Sequence, residues 1–339
     1  MFKQSKLSVL VVALVVMVML LAAGCAASKP AEKASPAKGK YPEKNVQIIV
    51  PVPAGGTTDA MARLIAQLAQ KEFGQTFFIT NKPGGALTIG AADMVKSPPD
   101  GYTLMVTPLG PIVMQMHYRQ LPYKYEDIEP VAYSSAVYNV LAVPKGKFKD
   151  AKEMIAFMKA NPGKLKYGTP AIGGLPHIAT ENFLLQAGCD AKGVGFNGDA
   201  DMLAALLGGH IDFAIIGTVN ENLKTGALVG LAVGSPSRLA NQPNIPTFKE
   251  LGYDVSTSIW SGIFAPKGTP VEVLDRLNAG FNKIVKDPEF LEKAAKIGEM
   301  PNPMSRADFK AFVDKEYVSN RKIINESPAG ERIKKMMTK

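Results

Sequence analysis

The sequence predicts an α/β protein of two domains, each a mixed sheet flanked by helices. Short apolar runs alternate with amphipathic stretches, the pattern of strands and helices layered on one another. This alternation occurs as two separate series. The body from Tyr41 to Lys339, roughly 300 residues, also exceeds the size at which a single core usually keeps growing.

In the first series, "VQIIVP" (Val46 to Pro51) reads as a strand. Met61, Leu64, Ile65, Leu68 and Ala69 follow as a helical stripe that stops at Gly74. "TFFIT" is a strand, "LTIGAADMVK" a short helix and "YTLMVT" a strand. The second series starts near Val140: "VLAVP", a helix around Glu153 to Ala160, "LKYGT", and a helix from Ile178 to Gln186. "DMLAALLG" then reads as helix and "IDFAII" and "LVGLAVG" as strands. After "SGIFAPKGTP" the chain is helical over Val271 to Lys286 and Asp287 to Ile297, and in a last helix whose start carries Ser305 and Asp308 in capping-box spacing. The acidic residues between Lys124 and Glu129 read as a solvated loop.

The first 24 residues read as an export signal. Lys3 and Lys6 precede an apolar run from Leu7 to Ala23, and "AAGCAAS" surrounds Cys25. These seventeen residues, broken only by Ser8, could also just span a bilayer, for which roughly 17 is the lower limit. The setting of Cys25 resembles a bacterial lipobox, with Leu21 one place earlier than the pattern prefers. That implies lipidation of Cys25 and residues 25–40 as a flexible Ala/Lys/Pro/Ser tether reaching ~20 Å. Both readings put the body outside the cytoplasmic membrane, either in the periplasm or on the outer face. The other cysteine, Cys189, then has no partner for a disulfide within the chain and reads as a small apolar residue.

The formal charge is +9, but residues 1–46 carry seven lysines against two glutamates. The remaining chain, residues 47–339, with 32 basic and 28 acidic residues, is mildly basic. It lacks a basic block interleaved with aromatics, so no nucleic-acid partner is expected. The three histidines, His117, His177 and His210, form no HExxH pattern, so no metal and no cofactor are expected. A hydrolase triad of His177, Ser261 and Asp212 is conceivable, but Ser261 lies in no GxSxG elbow. Trp260 reads as packing.

The turn "VPVPAGGTTDAMAR" carries the functional signal. A Gly-rich turn between strand and helix offers unpaired N–H groups and a positive dipole end to an anion. A P-loop needs a Lys after the glycines, and a dinucleotide fingerprint needs GxGxxG; neither is present. A carboxylate or other small anion remains, beside the simpler reading of a tight turn with Thr57 or Thr58 as N-cap.

Nine segments in order resemble the Bug-type extracytoplasmic solute receptors of the tripartite tricarboxylate transporter family. They include "YPEKNVQIIVPVPAGGTTDAMAR", "TNKPGGALTIGA", "SPPDGYTLM", "NPGKLKYGTP", "LLGGHIDFA" and "IFAPKGTPVEVLDRLN". The resemblance implies a two-domain periplasmic-binding-protein (Venus flytrap) fold. Residues 41–144 plus 262–339 would form one lobe and 145–261 the other. It implies a small carboxylate ligand (a di- or tricarboxylate, an aromatic acid or an acidic amino acid) held between the lobes by backbone N–H groups and hydroxyls. The matching positions are Val52, Ala54, Gly55, Gly56, Thr57, Thr58, Asp59, Thr107, Leu109 and Gly110 on the first lobe. On the second lobe they are Gly173, Gly174, Leu175, His177, Phe196, Asn197 and Gly198. Val52 and Ala54 stand where the family usually has Phe and Pro, which implies a smaller wall. Pro176 removes one donor from the second-lobe helix start. The implied partners are polytopic membrane subunits of a transporter, with the receptor a lipid-anchored monomer and not an enzyme. Presentation of the ligand to a membrane sensor kinase and an extracytoplasmic hydrolase are the alternatives.

Overall fold

The computed structural model describes residues 41–217 and 219–337. The export signal, Cys25 and the tether lie outside the described residues. Among the described residues no helix is long and apolar enough to cross a membrane.

The first series forms β1 (Val46–Val50), α1 (Thr57–Phe73), β2 (Phe77–Asn81), α2 (Thr88–Lys96), β3 (Thr103–Pro108) and the single-turn α3 (Gly110–Val113). A long strand β4 (Ile128–Tyr138) then runs almost directly into β5 (Val140–Pro144). The second series continues with α4 (Ala151–Ala160), β6 (Lys166–Thr169), α5 (Leu175–Ala187), β7 (Lys192–Gly195), α6 (Asp199–Leu207), β8 (Phe213–Ile216), α7 (Asn220–Lys224) and β9 (Leu228–Val233). The chain ends with β10 (Ser258–Pro266), α8 (Val271–Ile284), α9 (Pro288–Lys296), β11 (Met300–Pro301), α10 (Arg306–Glu326) and α11 (Pro328–Met337).

Two mixed sheets result. One has the order β11-β4-β10-β3-β1-β2 and the other β7-β6-β8-β5-β9. In the first, β1 lies parallel to both β2 and β3. In the second, β6 lies parallel to both β7 and β8. Within each sheet, therefore, three strands end on the same edge, and the loops that follow them gather there. Ligands of open α/β sheets bind outside such carboxyl ends.

The sheets are filled as the periodicity predicts. The Met61, Leu64, Ile65 and Leu68 stripe of α1 packs with Ile48, Leu104, Leu277 and Phe281 on one face of the first sheet. Leu141, Met154, Phe183 and Phe213 build the corresponding layer of the second. Trp260 is fully buried, set edge-on to Phe309 and Phe312, with its Nε1 donating to Glu316 at 3.3 Å. It is packing, as expected.

Three features depart from the sequence reading. The strands change sheets at Asn139 and at Thr257, not near 144 and 261; in "AVYNVLAVP" the amide of Asn139 is the one break between the two apolar stretches that become β4 and β5. Glu129 is not in a solvated loop: it lies in β4, 9% exposed, and pairs with Lys267 (3.3 Å) and Arg306 (3.5 Å). The helix after Ser305 does not end the chain, since Ser327 separates it from α11, which packs back on α5 of the second sheet. Ser305 caps α10 as expected, accepting from the Asp308 N–H at 3.1 Å.

The two sheet changes are tied to each other. Thr257 Oγ1 donates to the Asn139 carbonyl at 2.6 Å and accepts from the Gly234 N–H at 3.0 Å, with Thr257 and Asn139 both buried. Thr257→Val keeps the shape and leaves both groups without their partner. It is expected to lower stability by about 1–3 kcal/mol in urea unfolding; an unchanged midpoint would show that water replaces the hydroxyl.

Candidate functional site

The turn after β1 is built around a buried acid. Asp59, 2% exposed, accepts from the Gly55 N–H at 2.9 Å, from Arg63 Nε at 2.9 Å and from Asn81 Nδ2 at 2.8 Å. Asn81 also donates to the Val52 carbonyl at 3.0 Å, which ties the end of β2 to the same loop. The Arg63 hydrogen bond, followed by those from Asn81 and Gly55, holds the Asp59 carboxyl down at about 2 despite its burial. Gly55 has φ 95°, a left-handed value that a side chain would strain.

This arrangement leaves the start of α1 open. Its N-cap is Gly56, and no side chain caps the helix. The expected Thr57 or Thr58 cap is therefore absent, and the first-turn N–H groups of Gly56, Thr57 and Thr58 remain for a ligand. Ala54, Gly55, Gly56 and Thr57 are exposed, and Val52 and Thr58 are half-buried. Asp59 itself is not ligand-facing, because its carboxylate and the Gly55 N–H are spent on each other. Thr107 is fully buried with its hydroxyl on the Pro108 carbonyl at 3.1 Å, so it faces the interior.

Beside this turn lies a loop that sequence reasoning did not place in the site. Gly84, Gly85, Ala86 and Leu87 all have positive φ, at 118°, 59°, 54° and 75°. Two of these are not glycine, a strained backbone of the kind found at ligand-binding loops. A side-chain methyl of Leu87 lies 3.9 Å from where a Cβ on Gly110 would stand, so the loops after β2 and β3 meet. The signal was present in "NKPGGAL", where two glycines follow a proline.

On the second sheet, α5 also starts on an uncapped glycine, Gly174, and has no acid in its first turn. Pro176 gives up one donor, leaving those of Leu175 and His177 in that turn. Gly173 N–H donates to His177 Nδ1 at 3.0 Å, and His177 Nε2 meets the Tyr167 hydroxyl at 2.9 Å. With Nδ1 accepting a backbone proton, the ring is neutral and carries its own proton on Nε2. Burial, reinforced by Arg332, pulls His177 down to about 4. Both nitrogens are engaged, while Ser261 pairs with Pro108 and Ser135 in the first sheet and Asp212 pairs with Lys147. The hydrolase triad is not assembled.

The Phe196 to Gly198 loop is knit to the same turn: Phe196 N–H donates to Thr169 O at 2.9 Å and Gly198 N–H to Pro170 O at 3.0 Å. Phe196 is half-buried and Asn197 exposed. The helix that follows, α6, carries Asp199 and Asp201 in its own first turn, which disfavours a second anion there. Burial raises the Asp199 carboxyl.

The structure brings the two halves together through one apolar cluster that contains Leu109, Ile112 and Val113 of the first and Leu175 and Ile178 of the second. A hollow of about 410 Å³ lies elsewhere, along β9 between Asn220 and Ile245, and holds none of the sequence-predicted residues. Among the described residues no group of His, Cys, Asp or Glu could hold a metal ion. Cys189 is half-buried, its thiol pushed up by burial, and is no activated nucleophile.

Two mixed α/β sheets joined by crossing strands, with uncapped helix starts on loops at the carboxyl ends of their parallel strands, are the architecture of the periplasmic binding proteins. Residues 61–328 match the family model described as the tripartite tricarboxylate transporter family receptor. The chain belongs to that family and is a Bug-type solute-binding receptor. Protein BugT of Bordetella pertussis is 32% identical over 296 residues, covering 85% of this chain and 91% of that one. A TctC solute binding protein from Polaromonas, solved without ligand, is 28% identical with a TM-score of 0.80, over 85% of this chain and 100% of that one. Rpa4515 of R. palustris, solved with adipate, is 30% identical with a TM-score of 0.65, over 84% and 97%.

His177 gives the site a pH signature. Its folded value lies below the ordinary 6.5, so between about 6.5 and 4 the unfolded chain binds a proton that the native one does not. Stability therefore falls as pH drops through that window, by about 3 kcal/mol in all from this group. Urea unfolding at pH 7, 5.5 and 4.5 checks this, and His177→Gln should flatten that part of the slope.

Proposed function

We propose that this receptor captures a small carboxylate between two lobes outside the cytoplasmic membrane and presents it to the membrane subunits of a tripartite tricarboxylate transporter. The observation that carries the reading is a pair of uncapped helix starts, at Gly56 and Gly174, on loops at the carboxyl ends of parallel strands from different sheets. The adipate bound to the R. palustris relative supports a dicarboxylate as the ligand class. One lobe comprises residues 41–138 and 258–326, and the other residues 140–256 with the C-terminal helix 328–337. Cys25 is the lipid attachment site, and the receptor acts as a monomer without catalysis.

The donors are the N–H groups of Gly56, Thr57, Thr58 and Leu175, with the Thr57 and Thr58 hydroxyls and the Asn197 amide beside them. Val52, Ala54, Leu109, Gly110, Phe196 and Gly198 shape the walls. Asp59, Gly55, Gly173 and His177 hold the turns, and Thr107 supports the loop from within. Micromolar affinity needs about 8 kcal/mol, below ~1 kcal/mol per atom for a ligand of roughly ten heavy atoms, so neutral donors suffice. Closing one lobe over a ligand docked on the other is the usual motion of such folds.

Thermal shift with di- and tricarboxylates, aromatic acids and acidic amino acids tests the reading. A ligand at 100 times its Kd stabilises by about 2.7 kcal/mol, a Tm rise of several degrees; no rise with any of them would overturn it. Thr57→Pro separates backbone from side chain. Proline fits the first position of α1 after the extended Gly56 (ψ 170°) but deletes one N–H. It should weaken the bound acid about tenfold with Tm of the free protein nearly kept, whereas Thr57→Ala should cost less.

A further inference from the structure

A single line of hydrogen bonds, buried from Glu181 inward, runs from the half-exposed Arg332 of the C-terminal helix to the second-lobe turn. Arg332 of α11 donates to Glu181 Oε2 from Nε at 2.7 Å and from Nη2 at 2.5 Å. The other oxygen of Glu181 accepts from the Tyr167 hydroxyl at 2.6 Å. Tyr167 in turn receives the proton of His177 Nε2, and His177 Nδ1 receives the Gly173 N–H. Tyr167 and His177 are fully buried, Glu181 is 1% exposed, and Gly173 is buried.

The protons along this line have one consistent order. The Gly173 N–H can donate only inward, which requires a lone pair on Nδ1 and a proton on Nε2. Tyr167 must then accept from the ring and donate its own hydroxyl hydrogen to Glu181 Oε1. Arg332 holds the Glu181 carboxylate through two of its guanidinium nitrogens. Without Arg332 the carboxylate loses its fixed position, and the order of donors toward Gly173 is no longer enforced.

Arg332 lies 155 residues beyond His177 in a helix joined to α10 by the single residue Ser327. The helix is seated at both ends of this line. Ile333 is buried in the cluster that holds Leu109 and Leu175, and Met336 lies 3.1 Å from where a Cβ on Gly193 of β7 would stand.

We propose that Arg332 is a positioning residue of the ligand site: through Glu181, Tyr167 and His177 it fixes the Gly173 N–H, and with it the turn that opens α5. The C-terminal helix thus belongs functionally to the binding turn, although it touches no ligand. The effect on affinity rests on the carboxylate reading given above, but the effect on the turn does not.

Amide hydrogen exchange over residues 171–177 in the ligand-free protein tests it. Arg332→Met should speed exchange at Gly173 about tenfold while the amides of β1 and α1 keep their protection. Tyr167→Phe removes one link without touching α11 and should give the same local rise, and the double variant should exchange no faster than either single one. Arg332→Lys keeps the charge and loses the fork, so it should fall between; it also serves if the Met variant fails to fold. Unchanged exchange at Gly173 in a folded Arg332 variant, or additive effects in the double, would overturn the proposal. Calorimetry with adipate is run on the same proteins. Loss of affinity in the variants supports the link to binding, and variants that bind adipate as tightly as a wild type that binds it would break it. If the wild type binds no adipate, the exchange result still decides the positioning role, and only the carboxylate reading is weakened.

Discussion

The bond between the Asp59 carboxylate and the Gly55 N–H decides what the first-lobe turn can do. An acid at the third position of a helix ordinarily reaches back to the N-cap N–H, here that of Gly56. Here Arg63 and Asn81 draw the carboxylate the other way, into the base of the turn, where it takes the Gly55 proton instead. The helix start beyond it stays uncapped, and an anion can occupy the place the acid would have filled. The positive φ of Gly55 follows from the same fold-back, which explains a glycine there on conformational grounds.

The second lobe reaches a comparable state by different means. Its turn is held by a neutral histidine that accepts a backbone proton, and the neutrality of that ring is secured by burial and by the nearby Arg332 charge. Neither jaw presents an arginine to the ligand. Arg63 and Arg332 both act one layer back, on the acids Asp59 and Glu181. In the binding mode proposed above, fixed N–H dipoles carry the recognition, with directions set before the ligand arrives, so little ordering is left for the binding step.

Much of the architecture was legible because its signals are local. The strand, Gly-Gly turn and helix from Val46 to Phe73 follow from periodicity and punctuation, and the Ser305 cap from a three-residue spacing. What was not legible depended on distant partners. Asp59 was read as ligand-facing because Asn81, which lies beyond the end of α1, is what turns it inward. The sheet change at Asn139 rests on a single polar residue between two apolar stretches, a signal too short to read without its partner Thr257. The C-terminal helix was missed although Ser327 and Pro328 are a start signal, and with it went the role of Glu181, whose partner is 151 residues away. The hydrogen-bond line through Tyr167 that holds His177 had no local signal either.

The central claim is that backbone N–H groups of two helix starts on different sheets receive one carboxylate. The most direct measurement is an amide nitrogen–proton NMR titration with adipate or whichever acid gives the largest thermal shift. The account predicts concerted shifts at Gly56, Thr57 and Thr58 and at Leu175, saturating at one equivalent. Shifts confined to one of the two sets, or centred on the hollow between Asn220 and Ile245, would contradict it.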